Sequence, residues 1–406
     1  MTLDCDICIS GGGMVGGTLA WGLVKAGYSV ALLEPQSYRP DAVPPLLNER
    51  SVALSYSSRV LLDALGLWSD IAGEASPIAQ IHVSERGRFG ATRLHAREER
   101  VEALGYVVRN SVFLQALYRK LSELPHLALV SGAKLSDITQ HPDRVRVRAE
   151  QGGETLAGDA RLLIACDGSQ SSVPTMLGLQ QSTKTYEQSA IIANLHCAKP
   201  HQGTAYERFT PSGPLAMLPL APNTMAMVYT VASTDAPGLM ALDDTQMLAR
   251  VQRRFGYRLG HFEHIGARVE FPLALVQSSE QYRGRVLMMG NSARTLHPVS
   301  GQGFNLALRD SALLLEKLVS QGRDGDPGSV DVLRDFCQER QRDQRDVVRF
   351  TDTLVRVFRG RAPGFSHLRA LGLSGLECLP PLKHRLARQS MGLGNRLPDL
   401  SQLTVP

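Results

Sequence analysis

The alternation of apolar and polar residues at the start of the chain predicts a strand, a helix and a second strand. The apolar run Ile7–Ile9 is typical of a buried strand, and apolar residues at helical spacing follow over Val15–Lys25. Gly27 stands where such a helix would end, and Val30–Leu33 predicts a second buried strand that finishes at Glu34. The pattern therefore indicates a βαβ unit with a parallel strand pair.

The turn inside this unit carries the spacing G-x-G-x-x-G at Gly11, Gly13 and Gly16. Gly11 permits the tight turn, Gly13 lets the backbone approach a pyrophosphate, and Gly16 lets the helix pack closely on the strand. The N–H groups and the dipole at the helix start favour an anion there. Glu34 follows at the distance of a ribose-binding acid. The unit predicts a dinucleotide site, against the alternative of a plain glycine-rich turn, and leaves open which dinucleotide binds.

Further along, the apolar pattern divides the chain into three regions of an α/β protein. Short strands are predicted around Ile81–Leu94 and again over 186–271, where the helix Asp243–Phe255 interrupts them. A buried strand returns at 285–290, followed by a helix from about Phe304 to Leu318. We expect a discontinuous nucleotide-binding domain over 1–76, 97–182 and 273–335. A mainly antiparallel domain over 77–96 and 183–272 is inserted in it, and a helical region covers 336–406.

Composition and charge exclude several classes of protein. The 406 residues carry a formal net charge of +5, and from Arg340 onward twelve Lys or Arg face five Asp or Glu. Nothing in the sequence resembles a nucleic-acid-binding module, so nucleic-acid binding is not expected. No apolar run reaches the length of a membrane span, and the N-terminus has no basic leader, so a cytoplasmic protein is expected. The six cysteines are dispersed, and no metal site is predicted.

Three predicted strands end in loops that could face one ligand: Gly11–Gly17, Asp167–Gly168 and Gly290–Gly303. Ligands bind at the carboxyl ends of parallel strands, so we expect the loops to meet. Gly301, Gln302 and Gly303 open a helix whose N–H groups could face a species that acquires negative charge, such as a reduced flavin. Asn291 could hydrogen-bond a ribityl chain. The alternatives are a turn or helix-capping role for Asp167 and a solvent-facing Gln302.

These three loops resemble the FAD motifs of the class A flavoprotein monooxygenases, which share the p-hydroxybenzoate hydroxylase fold. Within them the chain is similar to the ubiquinone-biosynthesis hydroxylases, most of all to the branch acting on 2-polyprenyl-6-methoxyphenol. The segments that carry this resemblance are 83–87, 186–188, 206–209, 213–219, 290–291 and 295–298. The family usually has Gly-Asp where this chain has Gly290-Asn291, so retained but weaker FAD binding is expected.

The resemblance implies roles for individual residues. Those expected to bind FAD are Gly11, Gly13, Gly16, Glu34, Arg50, Arg109, Asp167, Asn291, Pro298, Gly301, Gln302 and Gly303. Those expected near the reaction are Arg50, His297 and Pro298, with His297 either an acid or base or a structural partner of its loop. Those expected to line the substrate side are Pro214, Leu215, Met217, Pro219, Phe271 and Pro272.

The resemblance also implies the reaction. NADPH or NADH reduces FAD, and dioxygen then serves to hydroxylate the ring of a polyprenyl phenol in ubiquinone biosynthesis. No second G-x-G-x-x-G is present, so the nicotinamide is expected to visit transiently. The alternatives are another ring position in the same pathway, a small soluble phenolic acid, a flavin reductase, and a non-enzymatic FAD-bearing scaffold.

The tail alternates apolar and basic residues over Leu354–Met391. One interpretation is docking to the inner face of a membrane that holds the polyprenyl substrate, or to a ubiquinone-biosynthesis complex. The other is an amphipathic helix that closes the FAD domain or forms the interface of a homo-oligomer.

Overall fold

The structure, a computed structural model, describes residues 3–36, 46–210, 213–295, 301–359 and 365–403, and for residues 47, 350, 351, 354–359 and 365–370 only the backbone. The strands are β1 Cys5–Ser10, β2 Val30–Glu34, β3 Ser51–Ser55, β4 Ser76–Pro77, β5 Gln80–Glu85, β6 Ala91–His95, β7 Gly105–Arg109, β8 Leu127–Ser131, β9 Ala133–Gln140, β10 Val145–Gln151, β11 Glu154–Ala165, β12 Gln181–Cys197, β13 Thr204–Thr210, β14 Gly213–Ala221, β15 Thr224–Ala232, β16 Phe262–Ile265, β17 Val269–Ser278, β18 Tyr282–Arg283, β19 Val286–Met288 and β20 Arg294–Thr295. The helices are α1 Met14–Lys25, α2 Tyr56–Ala64, α3 Asn110–Ser122, α4 Val173–Met176, α5 Ala236–Met240, α6 Asp244–Phe255, α7 Gln302–Ser320, α8 Val330–Arg359, α9 Phe365–Cys378 and α10 Pro380–Ser390.

The first sheet is built around β1. Its order is β18-β19-β11-β1-β2-β8, with β10 and β9 added beside β11, and the pairs β1–β11, β1–β2, β2–β8 and β11–β19 are parallel. Ile7 and Ile9 pack into one core cluster while Cys8 packs into another on the opposite face. Burial on both faces explains why β1 is an uninterrupted apolar run. Helices α3 and α7 pack against α1, so the glycine-led helix is enclosed.

The second sheet is predominantly antiparallel and has the order β20-β17-β12-β15-β14-β13-β5-β6. One pair, β5–β13, is parallel, and through it the short strands β5 and β6 near Ile81 join this sheet. Residues of α5 and α6 cover one face of it, where Met247, Val251 and Phe255 are fully buried. Asp243 caps α6 through a reciprocal capping box with Gln246. The other face is turned toward the first sheet.

A small third sheet, β3-β7-β4, lies between the two large ones. Ile78 and Val107 from its surroundings form a core cluster with Ala205 and Leu220 of the second sheet. The predicted α/β architecture is therefore confirmed: a Rossmann-type sheet with helices, an antiparallel sheet packed beside it, and a helical end of the chain.

The C-terminal helices pack on the rest of the chain. A buried ionic network joins α7 to α8: Arg309 donates to Asp343 at 3.0 Å, and Arg340 bonds both Asp310 and Asp343. Ala387 of α10 is buried in a cluster with Leu94 of β6. Within the described residues α8 thus packs on α7, and α10 packs on β6 of the second sheet.

Candidate active site

Three loops meet at the carboxyl edge of the first sheet. Ser10 pairs with Ala165, and Met288 pairs with Ala165 from the other side, so β1, β11 and β19 end at one level. Beyond these ends, the Ser292 hydroxyl donates to Asp167 Oδ1 at 2.9 Å. The convergence predicted for the three loops is present.

The glycines of the first loop differ in what surrounds them. Gly11 has φ +101°, and a Cβ there would lie 2.6 Å from the carbonyl oxygen of Cys166. A Cβ on Gly16 would lie 1.9 Å from the carbonyl oxygen of Gly11, so close packing of helix on strand requires glycine. At Gly13, by contrast, no atom lies within 4 Å of an added Cβ. The loop thus presents open backbone at Gly13, at the start of α1, where an anion is favoured.

Glu34 lies beside this loop at the end of β2. Its Oε2 accepts a hydrogen bond from the Gly12 N–H at 2.7 Å, and its Oε1 accepts one from the Gln36 N–H at 2.9 Å. The Gly12 carbonyl accepts from the Tyr118 hydroxyl at 2.9 Å. The acid is therefore oriented on the glycine turn, where the ribose end of a dinucleotide is expected.

The third loop leads into α7 through Gly301, which has φ +60° and is the N-terminal cap residue. No atom lies within 4 Å of a Cβ added to Gly303 or to Gly168 of the second loop. Open backbone at Gly13, Gly168 and Gly303 provides the cradle that an elongated dinucleotide needs. Gln302 is buried rather than solvent-facing.

Asn305 holds the start of α7 against β3, and its role was missed in the sequence. Its Oδ1 accepts from the Ser55 N–H at 2.8 Å and the Ser58 hydroxyl at 2.7 Å. Its Nδ2 donates to the carbonyl oxygens of Ala53 at 2.8 Å and Gly301 at 2.7 Å. The only available signal was an amide on an otherwise apolar stretch of helix.

The remaining polar candidates occupy distinct positions. Asp167 stands before a short 3₁₀ turn but makes no side-chain capping bond there, so the capping alternative does not hold. Asn291 is exposed in the same loop as Ser292. Arg109 Nη2 lies 2.6 Å from Glu74 Oε2, and Arg109 Nη1 lies 3.5 Å from the buried Glu49. The charge of Arg109 is thus balanced by carboxylates of this chain.

Arg50 follows the short 3₁₀ turn Leu46–Asn48 and directly precedes β3. Its guanidinium carbon is 5.0 Å from the ring centroid of Phe271 on β17. The Asn194 amide of β12 donates to the carbonyl oxygens of Leu46 and Glu49, both at 2.7 Å, and fixes this loop. The structure therefore brings together Arg50 and Phe271, which the sequence assigned to the flavin and substrate sides.

Two of the expected substrate residues are placed elsewhere. Leu215 and Met217 are fully buried in the cluster beneath α6, on the face of the second sheet turned away from the first. This corrects the expectation that they line the substrate side, because alternate residues of a strand face opposite ways. Pro219 is buried, Pro214 is partly buried and Pro272 is exposed.

The inward face of the second sheet carries a different set of residues. Ala216 pairs with Val228 on one side and Glu207 on the other, and Val228 pairs with Ile192. Ala205 and Leu218, which face the third sheet, fix the direction of this face. Ile192, Val228, Ala216 and Glu207 form what we call the cross-strand row, and all four are only partly buried.

His297 and Pro298 lie outside the described residues, so their assigned roles stay predictions. Thr295, just before them, pairs with Val276 of the second sheet, and Gly301, just after them, starts α7. Among the residues that the structure describes, no cluster of His, Cys, Asp or Glu is arranged to hold a metal ion. No helix in that part of the chain combines the length and apolarity of a membrane span.

Comparisons with known proteins agree with this geometry. A family model described as an FAD binding domain matches residues 4–351. The chain is 35% identical over 390 residues to ubiquinone hydroxylase UbiL of Rhodospirillum rubrum, which covers 95% of this chain and 89% of that one. It is 30% identical to 3-demethoxyubiquinol 3-hydroxylase of Escherichia coli, over 96% and 98% of the two chains. The solved structure of p-nitrophenol 4-monooxygenase PnpA from Pseudomonas putida matches with a TM-score of 0.80 at 19% identity, covering 98% of this chain and 100% of that one, which is a likeness of fold.

Proposed function

Because the chain belongs to the FAD-dependent hydroxylases of ubiquinone biosynthesis, we propose that it hydroxylates the aromatic ring of a polyprenyl phenol. It is a flavoprotein monooxygenase with FAD as cofactor, and NAD(P)H and dioxygen are its co-substrates. When bound, FAD accepts a hydride from NAD(P)H and activates dioxygen for insertion of one oxygen atom into the ring.

The observation that carries the proposal is the open cradle of glycine backbone facing a partly apolar sheet. Gly11, Gly13 and Gly16 would hold the pyrophosphate, and Glu34 the adenosine ribose. Asp167 and Asn291 would bind the pyrophosphate–ribityl region. The isoalloxazine would be bordered by Pro298, Gly301, Gln302 and Gly303. The N–H groups at the start of α7 would favour the negative charge that it gains on reduction. Arg50 would stand between this group and the substrate, with His297 beside it as acid, base or loop support.

The cross-strand row supplies the substrate surface in this proposal. Ile192, Val228 and Ala216 give a strip of apolar contacts across three strands, with neighbouring side chains about 5 Å apart. Phe271, stacked under Arg50, adds an aromatic wall. The apolar members of this strip suit a phenol with an apolar substituent.

A pair of matched substitutions tests this surface. Ala216→Trp would fill the row and should raise the KM for 2-polyprenyl-6-methoxyphenol at least tenfold while FAD stays bound. Ala241→Trp, at an exposed alanine after α5, is the control and should leave the KM unchanged. Equal KM values for Ala216→Trp and wild type would remove the row from the substrate site.

The ring position is proposed as that of 2-polyprenyl-6-methoxyphenol, converted to the 1,4-benzoquinol. The Escherichia coli relative, named for a 3-hydroxylation, makes that position the second candidate. Quinone-precursor profiling in a strain lacking the protein decides between them, since the phenol that accumulates is the substrate. Normal quinone levels, together with no phenol-stimulated NAD(P)H oxidation by the FAD-loaded protein, would refute the enzymatic proposal and favour the scaffold.

We also propose that the turn between α9 and α10 docks on an anionic membrane surface. Leu371, Leu379 and Leu382 are 58%, 50% and 51% exposed, and Arg385 and Arg388 are exposed on α10. Apolar side chains beside cations suit the boundary of an anionic bilayer, where each cation contributes about 1 kcal/mol. A docked enzyme would receive its polyprenyl substrate from the lipid.

Flotation with phosphatidylglycerol-containing liposomes tests the docking. The double variant Leu379→Glu with Leu382→Glu should lose flotation, while Tyr257→Glu, at a residue 64% exposed on the second sheet's side of the protein, should float like wild type. Equal flotation of all three proteins would leave the tail with a packing role only.

The domain division predicted from the sequence is retained as a proposal with two borders moved. Strands β12 and β17 span the predicted borders, and both belong throughout to the second sheet. We therefore place the inserted segment over 181–278, with 77–96 completing the same domain.

A further inference from the structure

Glu207 is the only ionisable member of the cross-strand row. It lies on β13, opposite Ala216 of β14 and beside Val83 of β5. Its side chain shares the face of Ala205, which packs toward the third sheet, and not that of Tyr206, which packs beneath α6. The carboxylate is therefore directed to the inward face, in line with the apolar strip proposed to contact the substrate.

The strand neighbours of Glu207 on its own face are apolar. No described residue pairs with its carboxylate, and the strand neighbours on its row are alanine and valine. Glu85 lies on the same face of β5, opposite Phe209 and two residues beyond Val83. Arg50 stacks on Phe271 of β17, and β12, β15 and β14 separate that strand from β13. Burial among apolar groups raises the pKa of the Glu207 carboxyl to about 7.

We propose that Glu207 is the catalytic residue that accepts the proton of the substrate's phenolic hydroxyl. The phenol O–H bond breaks, an O–H bond forms on the carboxylate, and the ring becomes an electron-rich phenolate ready to receive oxygen. No electron leaves or enters the residue, and the proton returns to the phenolic oxygen of the product. This inference rests on the proposed hydroxylase function.

An acid–base residue near neutrality is well matched to this task, and loss of such a group costs typically 10²- to 10⁴-fold in rate. A structural carboxylate would instead be expected to bond a partner, because a buried charge without one is destabilising. Among the described residues Glu207 has no partner for its carboxylate, and on a partly open inward face this is better explained by a transient hydroxyl partner.

The first test measures the pH dependence of turnover. The kcat/KM for 2-polyprenyl-6-methoxyphenol is followed from pH 6 to pH 9 with FAD-loaded protein, NAD(P)H and dioxygen. In wild type and in the control Glu263→Gln, at an exposed glutamate of β16, kcat/KM should rise with pH through about 7, because only the ionised Glu207 carboxylate accepts the phenolic proton. Glu207→Gln should bind the phenol but lack this rise. Identical curves for Glu207→Gln and wild type would overturn the proposal.

The second test measures turnover with two phenols. Glu207→Gln should hydroxylate 2-polyprenyl-6-methoxyphenol at least 100-fold more slowly than wild type at pH 7.5. With a ring-fluorinated analogue already ionised at that pH, the deficit should fall to less than tenfold. An equal deficit with both phenols would assign Glu207 a structural role. A wild type that neither binds nor hydroxylates either phenol would instead refute the proposed function, so the two failures are distinguishable.

Discussion

Two glycines of the first loop, three positions apart, should respond to the same substitution in opposite ways. A methyl group added at Gly16 would lie 1.9 Å from the Gly11 carbonyl oxygen, whereas C···O contacts normally start near about 3.3 Å. The overlap is therefore on the order of 1.4 Å. The Gly11 turn cannot simply retreat, because its N–H donates to the Leu33 carbonyl at 2.7 Å.

The stability cost of Gly16→Ala follows from this overlap. Overpacking costs typically about 1–3 kcal/mol, and a clash between two backbone-fixed groups belongs at the upper end. For a domain of about 200 residues, ~3 kcal/mol lowers the Tm by roughly 6 °C or more. At Gly13 an added methyl meets no atom within 4 Å, and φ −64°, ψ −174° suits alanine. Gly13→Ala should cost only about 1 kcal/mol, through its capping position.

The affinity for FAD should be affected by the substitution at Gly13, the position where the stability cost is small. In Gly13→Ala the methyl group would occupy the space through which the pyrophosphate approaches, so the Kd for FAD should rise at least tenfold, about 1.4 kcal/mol. The apoprotein Tm is measured by far-UV circular dichroism, and the Kd by quenching of flavin fluorescence. A Gly13→Ala protein that binds FAD with the wild-type Kd would show that the pyrophosphate lies elsewhere. A Gly16→Ala apoprotein with the wild-type Tm would refute the packing argument.

Three further outcomes are expected. Asn305→Ala leaves the Ser55 N–H and the Ala53 carbonyl without partners and should destabilise the protein by about 3 kcal/mol in urea unfolding; a change below about 0.5 kcal/mol would contradict the clamp. Arg340→Met removes a cation from Asp310 and Asp343, which are each under 10% exposed, so the free energy of unfolding should fall by about 3–5 kcal/mol. The control is Arg342→Met, at an exposed position of the same helix. The two Arg285 bonds to Asp326 lower the pKa of that carboxyl, so their contribution is complete above the ordinary carboxyl pKa and disappears as the pH falls through the lowered one. Arg285→Gln should therefore reduce the urea midpoint more at pH 7 than at pH 2, where only the loss of its bonds to the Pro142 and Arg161 carbonyls remains, and a reduction of equal size at both would disprove the linkage.

Local sequence patterns predicted the parts of the site that are themselves local. The positions of Gly11, Gly16 and Glu34 depend on one turn and its two flanking strands, so their spacing was sufficient to place them, while their roles toward FAD stay predictions. The partnership between Asn305 and β3 joins residues about 250 positions apart, and no periodicity encodes it. Arg109 was expected near a phosphate, but Glu49 and Glu74 are brought to it by the folding of a separate loop.

Strand alternation shows the limit of the sequence most clearly. Alternation along β14 shows that Leu215 and Met217 lie on one face of the sheet and Ala216 on the other. It does not show which of these faces is covered by α6. That choice depends on α6, which packs over the sheet from about 30 residues later in the chain. Glu207 lies in segment 206–209, one of those that carry the family resemblance. Its apolar strand neighbours become visible only when β5, β13 and β14 are paired.

The position of β19 has a consequence for synthesis of the chain. β19 pairs with the edge of β11 over Leu163–Ala165, but residues 181–278 are translated in between. At about 5–20 residues per second, the ribosome needs roughly 6 to 25 s to proceed from Ala165 to Val286. During that interval the nascent first sheet has an apolar strand edge without its partner, the kind of edge that other chains can join. Productive folding of this protein therefore depends on shielding that edge until the last strand emerges.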